Sequence, residues 1–226
     1  MKMNKSNCEK AEMLVEVLPY VNRFRDKIIV IKYGGNAMIN EDLKKAVMQD
    51  LLLMKSVGMH PILVHGGGPA INDMLKKLKV ESHFEQGLRV TDKETMEIVE
   101  MVWAGKVNKD IVGTLNQIGG KGIGLSGKDG NLIQARKKYL EKNGEKIDIG
   151  YVGEVEAVNK EMLESLIYSG YIPVISSIGM GKDGMSYNIN ADYVAGAVAK
   201  AVQANKFILL TDVEGIFRDY HDKDSL

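Results

Sequence analysis

The chain has 226 residues, and its 30 basic and 30 acidic side chains give a formal net charge of zero. This balance argues against a non-specific nucleic-acid binder, which needs a basic excess to neutralise phosphates. No apolar run approaches the roughly 18 residues of a membrane span, and the N-terminus shows no apolar signal-peptide core. With Cys8 as the single cysteine, we expect a cytoplasmic protein without an intrachain disulfide or a cysteine-rich metal site.

Strand and helix patterns alternate along the chain. Continuous apolar runs, typical of strands buried on both faces, predict strands at 28–31, 61–64, 171–176 and 207–210. Helical spacing predicts helices at 41–57, 69–78, 161–168 and 191–204, and a long helix that Thr91 or Asp92 caps. Further strands are expected at 122–126, 132–135 and 151–158.

This alternation predicts an α/β fold, a three-layer sandwich with a mainly parallel central sheet and helices on both faces. The stretch 128–158 is more hairpin-like and is expected to be an insertion near a sheet edge. Ahead of the first strand, an apolar stripe (Ala11, Leu14, Val15, Leu18 and Val21) predicts a helix that Pro19 would kink. The simplest interpretation is a helix packed on its own domain.

Glycine accounts for 24 residues, about 11% of the chain against a usual 7%. This excess indicates that glycines occupy specific loops. The segment Gly122–Gly127 fits G-x-G-x-x-G and, with Lys128, nearly fits a P-loop. A P-loop needs a hydroxyl after the lysine, where Asp129 stands, and a dinucleotide site needs a helix where a turn and strand follow. We therefore interpret this segment as a plain strand-turn-strand.

Two other glycine loops follow predicted core strands, at the sheet edge where ligands of open α/β sheets bind. One is Lys32-Tyr33-Gly34-Gly35, and the other is His65-Gly66-Gly67-Gly68-Pro69. Each could be an ordinary turn. Together they favour an anion site, because glycines bring bare backbone donors close to a ligand and the second loop also opens a helix. Neither loop specifies a substrate.

Other polar groups have a simple structural alternative. Asn190 or Asp192 could serve simply as the cap of the helix that follows them. Arg89 could be a surface residue or a partner for a carboxylate. Asp212, after Thr211, could orient a lysine, lie near Mg²⁺ or open a turn. The four histidines lack metal-ligand spacing and are interpreted as surface or loop residues, so no protein metal site is expected.

The motifs taken together resemble the acetylglutamate kinases of the amino-acid kinase family. They occur in family order from about residue 27 to the end: Ile31-Lys32-Tyr33-Gly34-Gly35-Asn36, Val64-His65-Gly66-Gly67-Gly68-Pro69, Gly87-Leu88-Arg89-Val90-Thr91, the segment 124–130, the segment 173–179, Asn188-Ile189-Asn190-Ala191-Asp192 and the segment 210–215. The resemblance implies transfer of the ATP γ-phosphoryl group to the side-chain carboxylate of N-acetyl-L-glutamate, a step of arginine biosynthesis.

The resemblance also implies roles for single residues. Lys32 would contact the transferring phosphoryl group, and Asp192 would orient Lys32 by ion pairing. Backbone donors would come from Gly34, Gly35, Gly67 and Gly68, while Arg89 and Asn188 would hold the amino-acid substrate, and Thr211 and Asp212 would lie on the nucleotide side. Mg²⁺ would be held mostly by the ATP phosphates.

Three segments are implied: an oligomerisation helix over 1–26, an N-acetylglutamate-binding lobe over 27–180, and the incomplete start of a nucleotide-binding lobe over 181–226. Leu18-Pro19-Tyr20-Val21 resembles the extension of arginine-inhibited members, whose N-terminal helices interlace dimers into a hexameric ring. A homo-oligomer with L-arginine feedback is therefore expected, and a PII-type partner is possible. Because family members continue well beyond residue 226, the chain is expected to be truncated or half of a split protein.

Two alternatives stay open. The chain could be a kinase of acetylaminoadipate, which is one methylene longer than acetylglutamate. It could also be a catalytically incomplete fragment that binds the amino-acid substrate and oligomerises.

Overall fold

A computed structural model describes residues 6–142, 144–211, 218–219 and 222. In chain order, the first elements are α1 (Asn7–Phe24), β1 (Ile28–Tyr33), α2 (Glu41–Ser56), β2 (His60–His65), α3 (Gly68–Leu78), β3 (Phe84–Glu85), β4 (Leu88–Arg89), α4 (Lys93–Glu100) and α5 (Asn108–Gln117). They are followed by β5 (Gly122–Leu125), β6 (Ile133–Lys142), β7 (Glu145–Val158), α6 (Lys160–Tyr168), β8 (Ile172–Ser176), β9 (Ile178–Gly181), β10 (Ser186–Asn188), α7 (Ala191–Ala201) and β11 (Lys206–Leu209). Short 3₁₀ turns lie at Gly35–Met38 and Asp129–Asn131.

The central sheet has five parallel strands in the order β11-β1-β2-β8-β5. The apolar runs of β1 and β2 are almost wholly buried, because helices cover both faces of the sheet. The predicted α/β sandwich with a parallel central sheet is confirmed.

Alternation along β1 divides the core into two layers. Ile28 and Val30 pack with α6 and α7 on one face, whereas Ile29, Ile31 and Tyr33 pack with α2 and α5 on the other. Since side chains of a strand alternate between faces, Lys32 points to the α7 side. The same alternation in β2 places Val64 on the α7 side and His65 on the side of Leu63 and α5.

The hairpin expected over 128–158 is present and follows the edge strand β5, but it is part of a separate small barrel, which the sequence did not predict. Strands β6 and β7 form a long hairpin, and β9 and β10 join it to close a small barrel in the order β10-β7-β6-β9. The sequence signal for β9 and β10 is weak because they are short and glycine-containing. Glycine is required there: a Cβ on Gly179 would lie 2.7 Å from the Ala135 Cβ.

The long helix that follows residue 92 is present, and Asp92 is its cap, accepting a hydrogen bond from the Thr95 N–H at 2.8 Å. Between α4 and α5 its hydrogen bonding becomes π-helical over Met101–Val107. Such a segment adds a residue to one turn and is frequent at functional sites. Here it turns Trp103 inward, where the side chain is buried.

Most of helix α1 does not pack on its own domain, and Phe24, its last residue, is the part that is partly buried against the core. The helix begins with a capping box between Ser6 and Glu9, runs through Pro19 to Phe24, and contains no buried residue. The predicted apolar stripe is largely open to solvent, with Leu14 74% and Val15 71% exposed. The interpretation as a self-packed helix is therefore wrong. None of the helices in the described part of the chain is long and apolar enough to span a bilayer.

Candidate active site

A cleft of about 320 Å³ opens at the carboxyl ends of β1 and β2. The two anion-loop candidates both line it, because their strands are neighbours in the sheet. Its described lining consists of Lys32, Gly34, Gly35, Met38, Gly66, Gly67, Gly68, Pro69, Phe84, Gly87, Leu88, Arg89, Trp103, Val152, Asn188, Asn190, Ala191 and Asp192. Eight predicted site residues, from Lys32 to Asp192, are thus brought to one cavity.

Lys32 and Asp192 form an ion pair in the cleft. The Lys32 Nζ lies 3.1 Å from an Asp192 carboxylate oxygen, and the lysine side chain is 18% exposed. Asp192 is free for this contact because Asn190 caps α7, accepting from the Asp192 N–H at 2.8 Å. Capping by Asp192 is therefore excluded as its role. The pair holds an ammonium group beside both glycine loops.

Gly34 gives the lysine room. A Cβ at this position would lie 3.0 Å from the Lys32 Nζ, so a larger residue would displace the ammonium group. Gly35 has φ +65°, a left-handed conformation that favours glycine. It begins the 3₁₀ turn Gly35–Met38, whose last residue also lines the cleft.

The second loop ends at the N-terminus of α3. Gly67 is the N-cap residue and provides no side-chain cap, and Pro69 occupies the first turn. The first amides of any helix lack intrahelical partners, and the helix dipole is positive there. The N-terminus of α3 can therefore bind an anion in the cleft.

Trp103 explains why Gly67 must be glycine. A Cβ on Gly67 would lie 2.6 Å from the Trp103 Nε1, whereas a Cβ on Gly68 would meet nothing within 4 Å. The Trp103 indole N–H is buried and has no hydrogen-bond partner among the described residues. The sequence did not indicate Trp103 as a wall of the site, because an apolar periodicity does not distinguish core from cleft.

Arg89 and Asn188 also line the cleft, and both are buried. The Arg89 guanidinium donates to the Ser82 hydroxyl and, at 2.6 Å, to Asn72 Oδ1. The Asn188 amide donates at 3.1 Å to Thr91 Oγ1, and this hydroxyl in turn donates at 2.8 Å to the Arg89 carbonyl. Of the two alternatives for Arg89, the surface residue is therefore wrong.

Burial lowers the pKa of Arg89, but an arginine remains charged at neutral pH. Its guanidinium also lies 4.6 Å from the centre of the Phe84 ring. The cleft therefore presents two cations, Lys32 and Arg89, and its lining also includes the apolar residues Met38, Leu88 and Val152. The sequence offered no signal for these apolar residues.

His65 contradicts the interpretation of the histidines as surface or loop residues. It is fully buried, and its ring contacts the Gly66 carbonyl and the Asn108 amide. Burial, with a smaller effect of the Lys109 charge, lowers the pKa of His65 to about 4. The ring is therefore neutral at neutral pH.

The remaining predicted residues lie elsewhere. Thr211 is described and exposed, two residues after the strand that pairs with β1 beside Lys32, and it is not among the described lining residues. Asp212 lies outside the described residues. The segment 122–127 is a strand and turn away from the cleft, as interpreted from its sequence, and Asp129 closes the turn by accepting from the Ser126 N–H at 2.6 Å.

The charges of the cleft suit an anionic reaction rather than a protein nucleophile. Asp192 is the one carboxylate among the described lining residues, and it faces Lys32. Within residues 6–142 and the later described ranges, no cluster of three or more histidine, cysteine or acidic side chains could hold a metal ion. Such a site can position and neutralise phosphate and carboxylate groups, which is what phosphoryl transfer requires.

Comparison with known proteins agrees with this chemistry. The model of the amino acid kinase family matches residues 27–226. The acetylglutamate kinase of Caldicellulosiruptor bescii is 60% identical over 215 residues, which cover 95% of this chain and 73% of that protein. The acetylglutamate kinase of Moorella thermoacetica is 58% identical over 228 residues, which cover 99% of this chain and 77% of that protein.

A solved structure also matches. The smu.665 protein of Streptococcus mutans superposes with a TM-score of 0.73 at 36% identity, covering 84% of this chain and 74% of that one. The fold and the site thus define a kinase with the amino acid kinase architecture. The chain belongs to the amino acid kinase family and, within it, to the acetylglutamate kinases.

Replacement of Gly67 tests the packing of the loop. G67A should destabilise the protein by about 1–3 kcal/mol, because the new methyl group overlaps the Trp103 ring. G68A is the matched control, with open space at its Cβ. Urea unfolding of both variants, and of G67A combined with W103L, measures the effect. If W103L did not recover part of the loss, the Trp103 contact would not be its cause.

Acid should reveal the buried neutral histidine. The pKa of His65 is about 4 in the folded protein, against about 6.5 when unfolded, so the unfolded chain takes up the proton first as the pH falls. The corresponding stability is complete above pH 6.5 and is lost toward pH 4, by about 2 kcal/mol at pH 5. Urea unfolding at pH 7.5 and pH 5 should show this loss in the wild type and not in H65N. Equal losses in the two proteins would contradict the assignment.

Proposed function

We propose that this chain transfers the γ-phosphoryl group of ATP to the side-chain carboxylate of N-acetyl-L-glutamate, the reaction of the family to which it belongs. The observation that carries the proposal is the Lys32 ammonium group, ion-paired at 3.1 Å with Asp192, between two glycine loops that end adjacent strands. A carboxylate oxygen attacks the γ-phosphorus, the bond to the ADP oxygen breaks, and an acyl phosphate and ADP result. Arginine biosynthesis is the corresponding pathway.

The reacting groups repel each other because both are anionic. Lys32 would neutralise the transferring phosphoryl group, and Asp192 would keep the ammonium group in place. Backbone N–H groups around Gly34–Gly35 and Gly67–Gly68 would donate to the phosphoryl oxygens and to the attacking carboxylate. Donors fixed in advance stabilise developing charge without reorganising, which is their advantage over water.

Mg²⁺ would be carried on the phosphates of ATP. The described walls of the cleft provide N–H donors, cations and a single carboxylate that is already paired. This donor set does not form an oxygen cage of the kind that Mg²⁺ needs from a protein. Thr211 and Asp212 would lie toward the nucleotide.

Arg89 and Asn188 would hold the far end of the amino-acid substrate. A planar guanidinium can bind a carboxylate through two parallel hydrogen bonds. Arg89 is fixed by Asn72 and Ser82, so its distance from Lys32 sets the length of substrate that fits. Assays with N-acetyl-L-glutamate and with acetylaminoadipate, one methylene longer, test the specificity. We expect the shorter substrate to have the higher kcat/KM, and binding of either without turnover would support the incomplete-fragment alternative.

Removal of the charge pair should affect turnover in a graded way. K32A should lower kcat by roughly 100-fold or more, since it removes the cation at the transferring group. D192N keeps the lysine but removes its partner, and a loss of roughly tenfold is expected. K182A, which removes an exposed ion pair with Glu156, is the control. A near-wild-type kcat for K32A in the phosphorylation assay would refute the assignment.

The chain organisation belongs to the same proposal. Residues 1–26 would be an oligomerisation helix, 27–180 the N-acetylglutamate lobe and 181–226 the beginning of the nucleotide lobe. The exposed apolar face of α1, with Leu14 74% and Leu18 52% exposed, supports a homo-oligomer, because burying such a face is favourable. L-arginine feedback, a PII-type partner and a cytoplasmic location are inferred from the resemblance and from composition.

Polar replacements on α1 test the oligomer without disturbing the core. In L14D/L18D, two charges would have to be desolvated in a helix interface, so the assembly should dissociate to smaller species. Sedimentation velocity measures the change, and E12Q/E16Q on the same helix is the matched control. An unchanged sedimentation coefficient for L14D/L18D would exclude this face as the contact.

A further inference from the structure

The buried ring of His65 makes hydrogen bonds on both sides and adjoins the anion-binding loop. Its Nδ1 lies 2.7 Å from the Gly66 carbonyl oxygen, and its Nε2 lies 3.0 Å from the Asn108 Nδ2. His65 and Asn108 are both fully buried. His65 is absent from the residues that line the cleft, so it does not touch a ligand there.

The partners determine which ring nitrogen carries the hydrogen. A carbonyl oxygen can only accept, so Nδ1 must be protonated. Asn108 Nδ2 also donates to the Val174 carbonyl at 2.9 Å, and Asn108 Oδ1 accepts from the Lys109 Nζ at 3.2 Å. These two contacts fix the amide orientation, so Asn108 donates to Nε2, which must be the unprotonated acceptor.

The Nδ1–H bond fixes one peptide of the glycine loop. The Gly66 carbonyl is held toward the buried ring, and in a trans peptide the following N–H points the opposite way. The next N–H is that of Gly67, so it is directed away from the core and toward the cleft. Glycine neighbours give this peptide no side chain that would otherwise stop it from rotating.

We propose that His65 is a positioning residue: through its Nδ1–H bond to the Gly66 carbonyl, and with Asn108 holding its tautomer, it keeps the Gly67 N–H aimed at the transferring phosphoryl group. Asn108 connects this bond to β8 through Val174, and Lys109 connects it to β5 through the Gly124 carbonyl at 3.3 Å. These contacts thus fix the direction of the Gly67 N–H relative to the central sheet. This inference rests on the proposed function, because it gives a role to a donor used in that reaction.

Two substitutions separate the two hydrogen bonds. H65N places an amide where Nδ1 stands and can still donate to the Gly66 carbonyl. H65Q reaches the position of Nε2, so it keeps a partner for Asn108 but loses the bond to Gly66. We expect H65Q to lower kcat at least tenfold, with the KM for N-acetylglutamate changed less than about threefold, and H65N to stay within about threefold of wild-type kcat.

S177A is the control for burial alone. Ser177 is fully buried, its hydroxyl has no partner among the described residues, and its N–H bonds to the His65 carbonyl at 3.2 Å. It should leave kcat unchanged. Melting temperatures of all three variants are measured alongside, because a purely structural role predicts that kcat falls in step with stability. Equal kcat for H65N and H65Q, or losses that follow stability, would overturn the proposal.

A spectroscopic measurement does not depend on turnover. Long-range ¹⁵N–¹H NMR spectra of the histidines in the full chain distinguish the two neutral tautomers. We expect His65 to be neutral with its proton on Nδ1, in the wild type and in S177A. A proton on Nε2 would overturn the proposal even if the kinase assay succeeded. A proton on Nδ1 in a chain that did not phosphorylate N-acetylglutamate would instead reject the proposed reaction and keep the loop geometry.

Discussion

The in-register pairing of β1 with β2 is the constraint on which the site depends. Six consecutive residue pairs join the strands, from Ile28 with His60 to Tyr33 with His65. Because the strands are parallel and end together, both glycine loops leave the sheet at the same height and face one cavity. A shift of one residue would move every side chain of the strand to the other face, and would separate Lys32 from its carboxylate.

Because side chains alternate along a strand, the functional residues of β1 and β2 face two different layers of helices. Lys32 points to the α7 side, where it meets Asp192, while His65 points to the α5 side, where it meets Asn108. The α7 side supplies the charged pair of the cleft, and the α5 side holds the buried His65–Asn108 contact. The His65–Asn108 contact can be rigid because both groups are fully satisfied within a low-dielectric interior, where hydrogen bonds are strong.

The sequence predicted the parts of the molecule that rest on periodicity and on local chemistry. The parallel sheet, the glycine loops and the cleft residues from Lys32 to Asp192 belong to this group, since apolar runs and strand-end motifs are visible in the printed chain. It did not predict the barrel formed with β9 and β10, because short strands with glycine give little pattern. It also interpreted His65 as a surface or loop residue, since the burial of a single polar residue is decided by helices more than forty residues away, such as the one that carries Asn108.

The apolar wall was missed for a related reason. Met38, Leu88 and Val152 come from three distant parts of the chain and meet only in the cleft. An apolar residue that lines a cavity obeys the same spacing rules as one in the core. Only the folded arrangement distinguishes the two, whereas a charged residue such as Arg89 is conspicuous in sequence even before its burial is known.

The close approach of Trp103 to Gly67 has a consequence for how this site can evolve. The indole occupies the space that any side chain at position 67 would need, so the two positions cannot change independently. Position 103 can drift to smaller residues while Gly67 stays, but a larger residue at 67 becomes accessible only after that first step. The order of substitutions at this site is therefore constrained. Trp103, which lies outside the glycine motif, must be replaced by a smaller residue before position 67 can accept a side chain.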